Sequence, residues 1–151
     1  MAEPDWGALE ASIDGSVVLP RTPGYDDARR PAIVNFHDVC PRAVVRCRTP
    51  SDVAETLRFA ARVGLPLAIR GGGHCFAGRS STIGVVLDTT PMGSVTVSGD
   101  LATVGAGCRL GPLYDALAES VVPSRPAADP TWGSPGSPWA VGSGSSDART
   151  V

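Results

Sequence analysis

The chain has 151 residues, 42% of them hydrophobic and 19% charged, which is the size and balance of one soluble globular domain with a modest core. Its formal net charge of -2 offers no broad basic surface, which argues against nucleic acid and anionic membranes as partners and favours a small-molecule site. No apolar run approaches the roughly 20 residues of a membrane span, and the acidic start "MAEPDWGALE" lacks a basic stretch followed by an apolar one, so the expected location is cytoplasmic.

Pro4 suits the first turn of a helix that carries Trp6, Leu9 and Ile13 at i, i+3 and i+7 and stops at Gly15. "SVVLP" then reads as a short strand, and "TPGYDDARRP" as a turn with a helical fragment. "AVVRC" from Ala43 is a strand. Thr49 and Pro50 make an N-cap and first helical position, with Asp52 favourable at N3. The helix they open carries Val53, Leu57, Ala60 and Ala61 on one face, and Gly64 suits a left-handed ending. "LPLAI" is the next strand, and strand, helix, strand reads as a right-handed crossover that brings two strands together in parallel. The loop that follows leaves the carboxyl end of a strand, the edge where such sheets bind ligands. "IGVVLD", "SVTVS" and "LATVGAG" are further strands, with Gly99 and Asp100 as a two-residue hairpin turn. In "LGPLYDALAE", Leu110, Leu113 and Leu117 have helical spacing, and Tyr114 is expected in the core.

The four cysteines, Cys40, Cys47, Cys75 and Cys108, include no C-x-x-C pair, which argues against zinc or a redox dithiol; buried free thiols are expected. The chemistry concentrates in "IRGGGHCFAGRSS", Ile69 to Ser81. Three readings apply. Gly73 to Ser80 spells G-x-x-x-x-G-R-S, one residue from a P-loop, but Arg79 replaces the working lysine and "SSTIGVVLD" is strand-like where a helix is required. A second reading is a glycine-rich turn with His74 as a bystander. A third is an anion nest, in which the N–H groups of Gly71, Gly72, Gly73 and His74 curl around a diphosphate that the bare backbone approaches closely. Arg70 and Arg79 flank the loop as counter-charges or as a solvated edge. His37 reads as a surface or capping residue and Asp88 as a turn former.

The ordered set of strand, helix, R-G-G-G-H with a glycine four residues on, "VVLD", and "VGAG...LGPLYDAL" resembles the first FAD-binding subdomain of the PCMH-type flavoproteins of the vanillyl-alcohol oxidase superfamily, in particular the berberine-bridge-enzyme-like oxidases. The resemblance covers about Asn35 to Glu119. It implies an α+β, truncated PCMH-type domain: a βαβ unit, short mixed-sheet strands and flanking helices. It implies FAD as cofactor, with Gly71, Gly72, Gly73, His74, Cys75 and Gly78 on the diphosphate, Arg70 beside them, and His74 as an 8α-histidyl attachment site. Cys75 stands where relatives commonly have Ser, which weakens one donor. No catalytic acid or base is identified, and substrate and electron acceptor are open. The activity implied is that of an FAD-dependent oxidase or dehydrogenase. The alternative is a non-catalytic fragment that binds FAD weakly or not at all.

Residues 1–34 are read as a lead-in and 35–119 as the first part of the FAD-binding domain. From 120 to 151, 16 of 32 residues are Pro, Ser or Gly without apolar period, as in a disordered tail. Relatives have a second glycine-rich cradle there. With third codon bases left free, reading one base earlier from Ser124 can spell V-P-A-G-C-G-P-D-V-G-I-A-G-L-T-L-G-G-G-F-G, and a frameshift near Ser120 is the expectation that the nucleotide sequence tests.

Overall fold

A computed structural model describes residues 3–121. The first helix, α1 (Trp6–Ala11), is capped by Asp5, whose side chain accepts from Ala8 N, so the start signal is Asp5, with Pro4 outside the helix. It buries Trp6 and Leu9 and leads into β1 (Ser16–Val18) and a short helix, α2 (Tyr25–Arg29). Tyr25 ties α2 down by donating its hydroxyl to Pro41 O at 2.5 Å.

The unit read most clearly in the sequence is β2 (Ala43–Arg46), α3 (Pro50–Val63) and β3 (Leu67–Arg70). Thr49 caps α3 in a reciprocal box with Asp52, and Gly64 ends it at φ 66°. The buried face matches the expected one in part: Ala60 is buried and Val53 packs against the core. The face runs through Asp52, Thr56, Phe59 and Ala60, while Leu57 and Ala61 face outward. Apolar spacing misses the rest of this face because two of its residues are polar and satisfied internally. Thr56 Oγ1 donates to Asp52 O at 2.7 Å, and the Asp52 carboxylate accepts from the backbone of Asp14 and Arg48.

After β4 (Val85–Asp88), a hairpin of β5 (Val95–Ser98) and β6 (Leu101–Val104) turns at Gly99 and Asp100 as expected, with Gly99 at φ 57°. The last helix, α4 (Leu110–Val121), packs against β5. Tyr114 on it is 63% exposed, a correction to the core role expected of it: α4 turns Leu113, Ala116 and Leu117 inward and Tyr114 away. Ser120 and Val121 belong to this helix; the expected tail beyond them lies outside the described residues.

The four-stranded sheet has the order β1-β2-β4-β3, with β1 antiparallel and the other three parallel. The expected crossover is present, but β2 and β3 are not neighbours, because β4 inserts between them. Buried on both faces, β4 runs apolar from Val85 to Leu87, as a central parallel strand should, and ends on the buried Asp88. Alternation splits the core. Ala43, Val45, Val85 and Leu87 meet Trp6, Phe59 and Ala60 on one face, and Val44 and Val86 meet Ala28 of α2 on the other.

Among the cysteines only Cys47 is buried; Cys40 is exposed and Cys75 and Cys108 are half-buried, all as free thiols. Among the described residues, no helix is long and apolar enough to cross a membrane.

Candidate cofactor site

Strand register builds the floor of the site. Arg46, Asp88 and Arg70 are paired residue to residue across β2, β4 and β3, so the three parallel strands end in a row of two arginines around one aspartate. By strand alternation this row lies on the same face as Val44 and Val86, under α2. Asp88 holds the turn after β4, accepting from Thr90 N at 3.0 Å and Thr90 Oγ1 at 2.5 Å, as a turn former does; it also faces Arg46 Nε at 4.0 Å. Arg70 is not a solvated loop edge. Its guanidinium is buried and donates to the carbonyls of Arg29, at 2.9 Å, and Ala28, at the carboxyl end of α2. Burial pulls its pKa down, while Asp88 pushes it up.

The glycine loop leaves this floor and reaches β4 without forming any helix between residues 71 and 84, which removes the element that a P-loop requires. Among the described residues, the N–H groups of Gly71, Gly72, Gly73 and His74 donate to no protein acceptor. Unengaged backbone donors in succession are the material of an anion nest. The glycines divide in function. Gly73 (φ 73°) packs on the segment after α2, where a Cβ would lie 3.0 Å from Ala32 N and 3.2 Å from Pro31 Cα. Gly78 (φ 72°) faces the Phe36 ring, 2.5 Å from where its Cβ would be.

These parts enclose a cavity of about 530 Å³, lined by Arg70, Gly71, Gly72, Gly73 and His74. The walls add Arg30, Arg46 and Arg109, three cations that no sequence signal had marked, together with Asp27 and Asp88. Four arginines against two aspartates leave an excess of two positive charges, matching a diphosphate in the middle of a dinucleotide. The bare N–H groups, the cation excess and the room beside His74 fit the phosphates of FAD. His74 is exposed at the cavity edge.

Two expected residues do not line the cavity. Gly78 serves the Phe36 contact. Cys75 sits in its own turn, where the backbone N–H groups of Arg79 and Ala77 hold its thiol below the usual thiol range. Arg79 is exposed and is likewise outside the lining. His37 ends a single 3₁₀ turn and donates Nε2 to Pro31 O at 2.9 Å, the capping role expected of it. A second glycine segment, Gly105–Gly107, read in the sequence as the end of a strand but lying just past β6, buttresses the loop from behind. A Cβ on Gly105 would lie 1.9 Å from Met92 O, and one on Gly107 would lie 1.7 Å from Thr89 O. Ala106 O, between them, lies against Gly71 and accepts from Thr89 Oγ1 at 3.5 Å.

Residues 41–148 match the profile of the family described as "FAD binding domain". The chain is 34% identical over 119 residues to (R)-6-hydroxynicotine oxidase of Paenarthrobacter nicotinovorans, covering 74% of this chain and 25% of that protein. It is 31% identical over 125 residues to berberine bridge enzyme-like 5 of Arabidopsis thaliana, covering 80% of this chain and 23% of that protein. Among solved structures, 6-hydroxy-D-nicotine oxidase from Arthrobacter nicotinovorans superposes with a TM-score of 0.68 at 32% identity, over 72% of this chain and 24% of that one. BBE-like 1 of Physcomitrella patens superposes with a TM-score of 0.69 at 29% identity, over 76% and 26%. The chain thus spans about a quarter of the length of these relatives. A strand-end loop of bare glycines over an arginine-rich floor, found in a chain that matches this family over most of its length, places it among the PCMH-type, berberine-bridge-enzyme-like FAD-linked oxidoreductases, as part of their FAD-binding domain.

Proposed function

We propose that the cavity beside Gly71–Gly73 holds the diphosphate of FAD, and that His74 is the residue through which the flavin ring becomes covalently attached. The observation that carries this reading is the coincidence of unengaged N–H groups with four arginine side chains around one cavity. Loop N–H groups orient the phosphates and the arginines neutralise them, while His74 at the rim places an imidazole beside the rest of the dinucleotide. When bound, FAD supplies the hydride-accepting chemistry of an FAD-dependent oxidase or dehydrogenase. The chain's own part is to hold and orient that cofactor; the substrate belongs to the whole protein.

The test is to purify the chain, add FAD, remove the excess, and record the visible spectrum before and after acid precipitation. Flavin colour that stays with the precipitate, and is absent from His74→Ala, supports both parts. Colour released into the supernatant overturns the covalent link and keeps the cradle. Protein that stays colourless, with no FAD binding by calorimetry, overturns the cradle.

A further inference from the structure

Arg70 is a formal charge that folding has buried to 5% exposure without bonding it to a carboxylate. Its two hydrogen bonds go to neutral carbonyls, Arg29 O and Ala28 O, and among the described residues no acidic oxygen lies within ion-pair range of its guanidinium. A buried cation in that state is poorly compensated and gains from an anion in the cavity it lines.

Those two carbonyls also fix the position of a segment that lies ahead of the family match, which begins at residue 41. Asp27, Ala28, Arg30, Pro31 and Ala32 form one wall of the cavity. The same wall is gripped at other points, among them Arg29, which donates to His37 O and Val39 O. Tyr25 donates to Pro41 O, His37 Nε2 donates to Pro31 O, and Gly73 brings the loop backbone against Pro31 and Ala32. With the wall held there, Arg30 follows directly on the α2 carboxyl end and faces the same space as Gly71–His74.

Resting on the reading of the site given above, we propose that residues 25–32, ahead of the residues that the family profile matches, are a wall of the cofactor site set in place by Arg70, and that Arg30 supplies part of the counter-charge for the diphosphate. Arg70 is thus a positioning residue, and Arg30 a binding residue. The geometry explains why an arginine sits at the end of β3: a planar fork reaches two successive carbonyls, and a lysine ammonium reaches them with neither the same span nor the same planarity.

Two measurements on the 151-residue chain test this. The first needs no ligand: amide hydrogen exchange of the wild type, Arg70→Met and Arg70→Lys, read by mass spectrometry. The expected result is that Arg70→Met speeds exchange across residues 25–32 at least tenfold while residues 85–88 keep their protection, with Arg70→Lys intermediate. Unchanged exchange across 25–32 overturns the positioning role; if Arg70→Met loses protection everywhere, Arg70→Lys is judged by the same criterion. The second compares FAD, ADP and riboflavin binding to the wild type and Arg30→Gln. Loss of one exposed ion pair predicts roughly fivefold weaker FAD and ADP binding. Riboflavin, without phosphate, should be unaffected, and the difference should shrink in high salt. Equal FAD and ADP affinity in Arg30→Gln removes Arg30 from the site. A wild type that binds neither ligand overturns the diphosphate reading and Arg30's part in it, while the exchange measurement still decides the role of Arg70.

Discussion

Replacing Gly73 by alanine separates a glycine needed for its dihedral from one needed for its lack of a side chain. Gly73 has φ 73° and Gly99 φ 57°, so both substitutions carry the left-handed penalty of about 1 to 2 kcal/mol for an L-residue. Both also gain the same few tenths to about 1 kcal/mol from a stiffer unfolded chain, so this contribution cancels between them. At Gly99 a Cβ meets nothing within 4 Å. At Gly73 it meets Ala32 N at 3.0 Å and Pro31 Cα at 3.2 Å, both main-chain atoms, and that backbone is pinned by Arg70 and His37 and has little room to retreat. Forced overpacking of that kind costs a further 1 to 3 kcal/mol or so. The expected order is therefore Gly73→Ala less stable than Gly99→Ala by about 2 kcal/mol, measured by urea denaturation at unchanged m-value, or about 4 to 8 °C in Tm for a chain of this size. FAD affinity should fall in Gly73→Ala and hold in Gly99→Ala. Equal stabilities for the two variants would refute the close approach of loop and wall.

Asp52 is pushed up by burial but pulled further down by hydrogen bonds from Arg48, Thr49 and Asp14, so its folded pKa lies below its ordinary value near 3.8. The unfolded chain therefore takes up the proton first: the stabilisation is complete above about pH 4 to 5 and is lost as pH falls through 3.8 and then through the folded pKa, and Asp52→Asn should flatten that acid limb in a pH series of denaturation midpoints. Cys75, held low by backbone N–H groups, should alkylate with iodoacetamide at a lower pH than Cys47, which burial pushes up and shields; modification of Cys47 in the native chain ahead of Cys75 would contradict both environments. Leu87→Ala, in the central strand and fully buried, should cost about 2 to 5 kcal/mol by the same denaturation assay, and a cost below 1 kcal/mol would remove β4 from the core.

What the sequence made legible was local. Thr49, Pro50, Asp52 and Gly64 announce the two ends of α3 within a few residues of themselves, and Gly99-Asp100 announces its hairpin, because caps and turns are decided by neighbouring backbone groups. Strand order was not local. Nothing within β2 or β3 says that β4 will enter between them, since that depends on the chain returning after residue 84. The face of α3 was partly hidden by Asp52 and Thr56, which look solvent-facing because their bonds are not visible as apolar spacing: Asp52 accepts from nearby Arg48 N and from distant Asp14 N, and Thr56 donates back to Asp52 O.

The candidate site divides along the same line. R-G-G-G-H is contiguous and was visible, Arg70 with it; the three other arginines that give the cavity its charge come from separate elements and were not. Arg46 and Arg70 meet through pairing with Asp88, Arg30 arrives with α2, and Arg109 stands at the start of α4. That dispersion bears on how a diphosphate is held without a helix behind the loop. A P-loop or Rossmann turn gathers its positive potential from one helix end, worth about half a charge and supplied by the same stretch of sequence that makes the phosphate loop. Here the loop contributes direction through its N–H groups, and the charge is imported as whole guanidinium ions from α2, β2, β3 and the approach to α4. A site assembled in this way exists only once the sheet has formed. The loop motif alone therefore marks the position of the cradle but supplies little of its charge, and the segments that supply it extend ahead of the family match as well as within it.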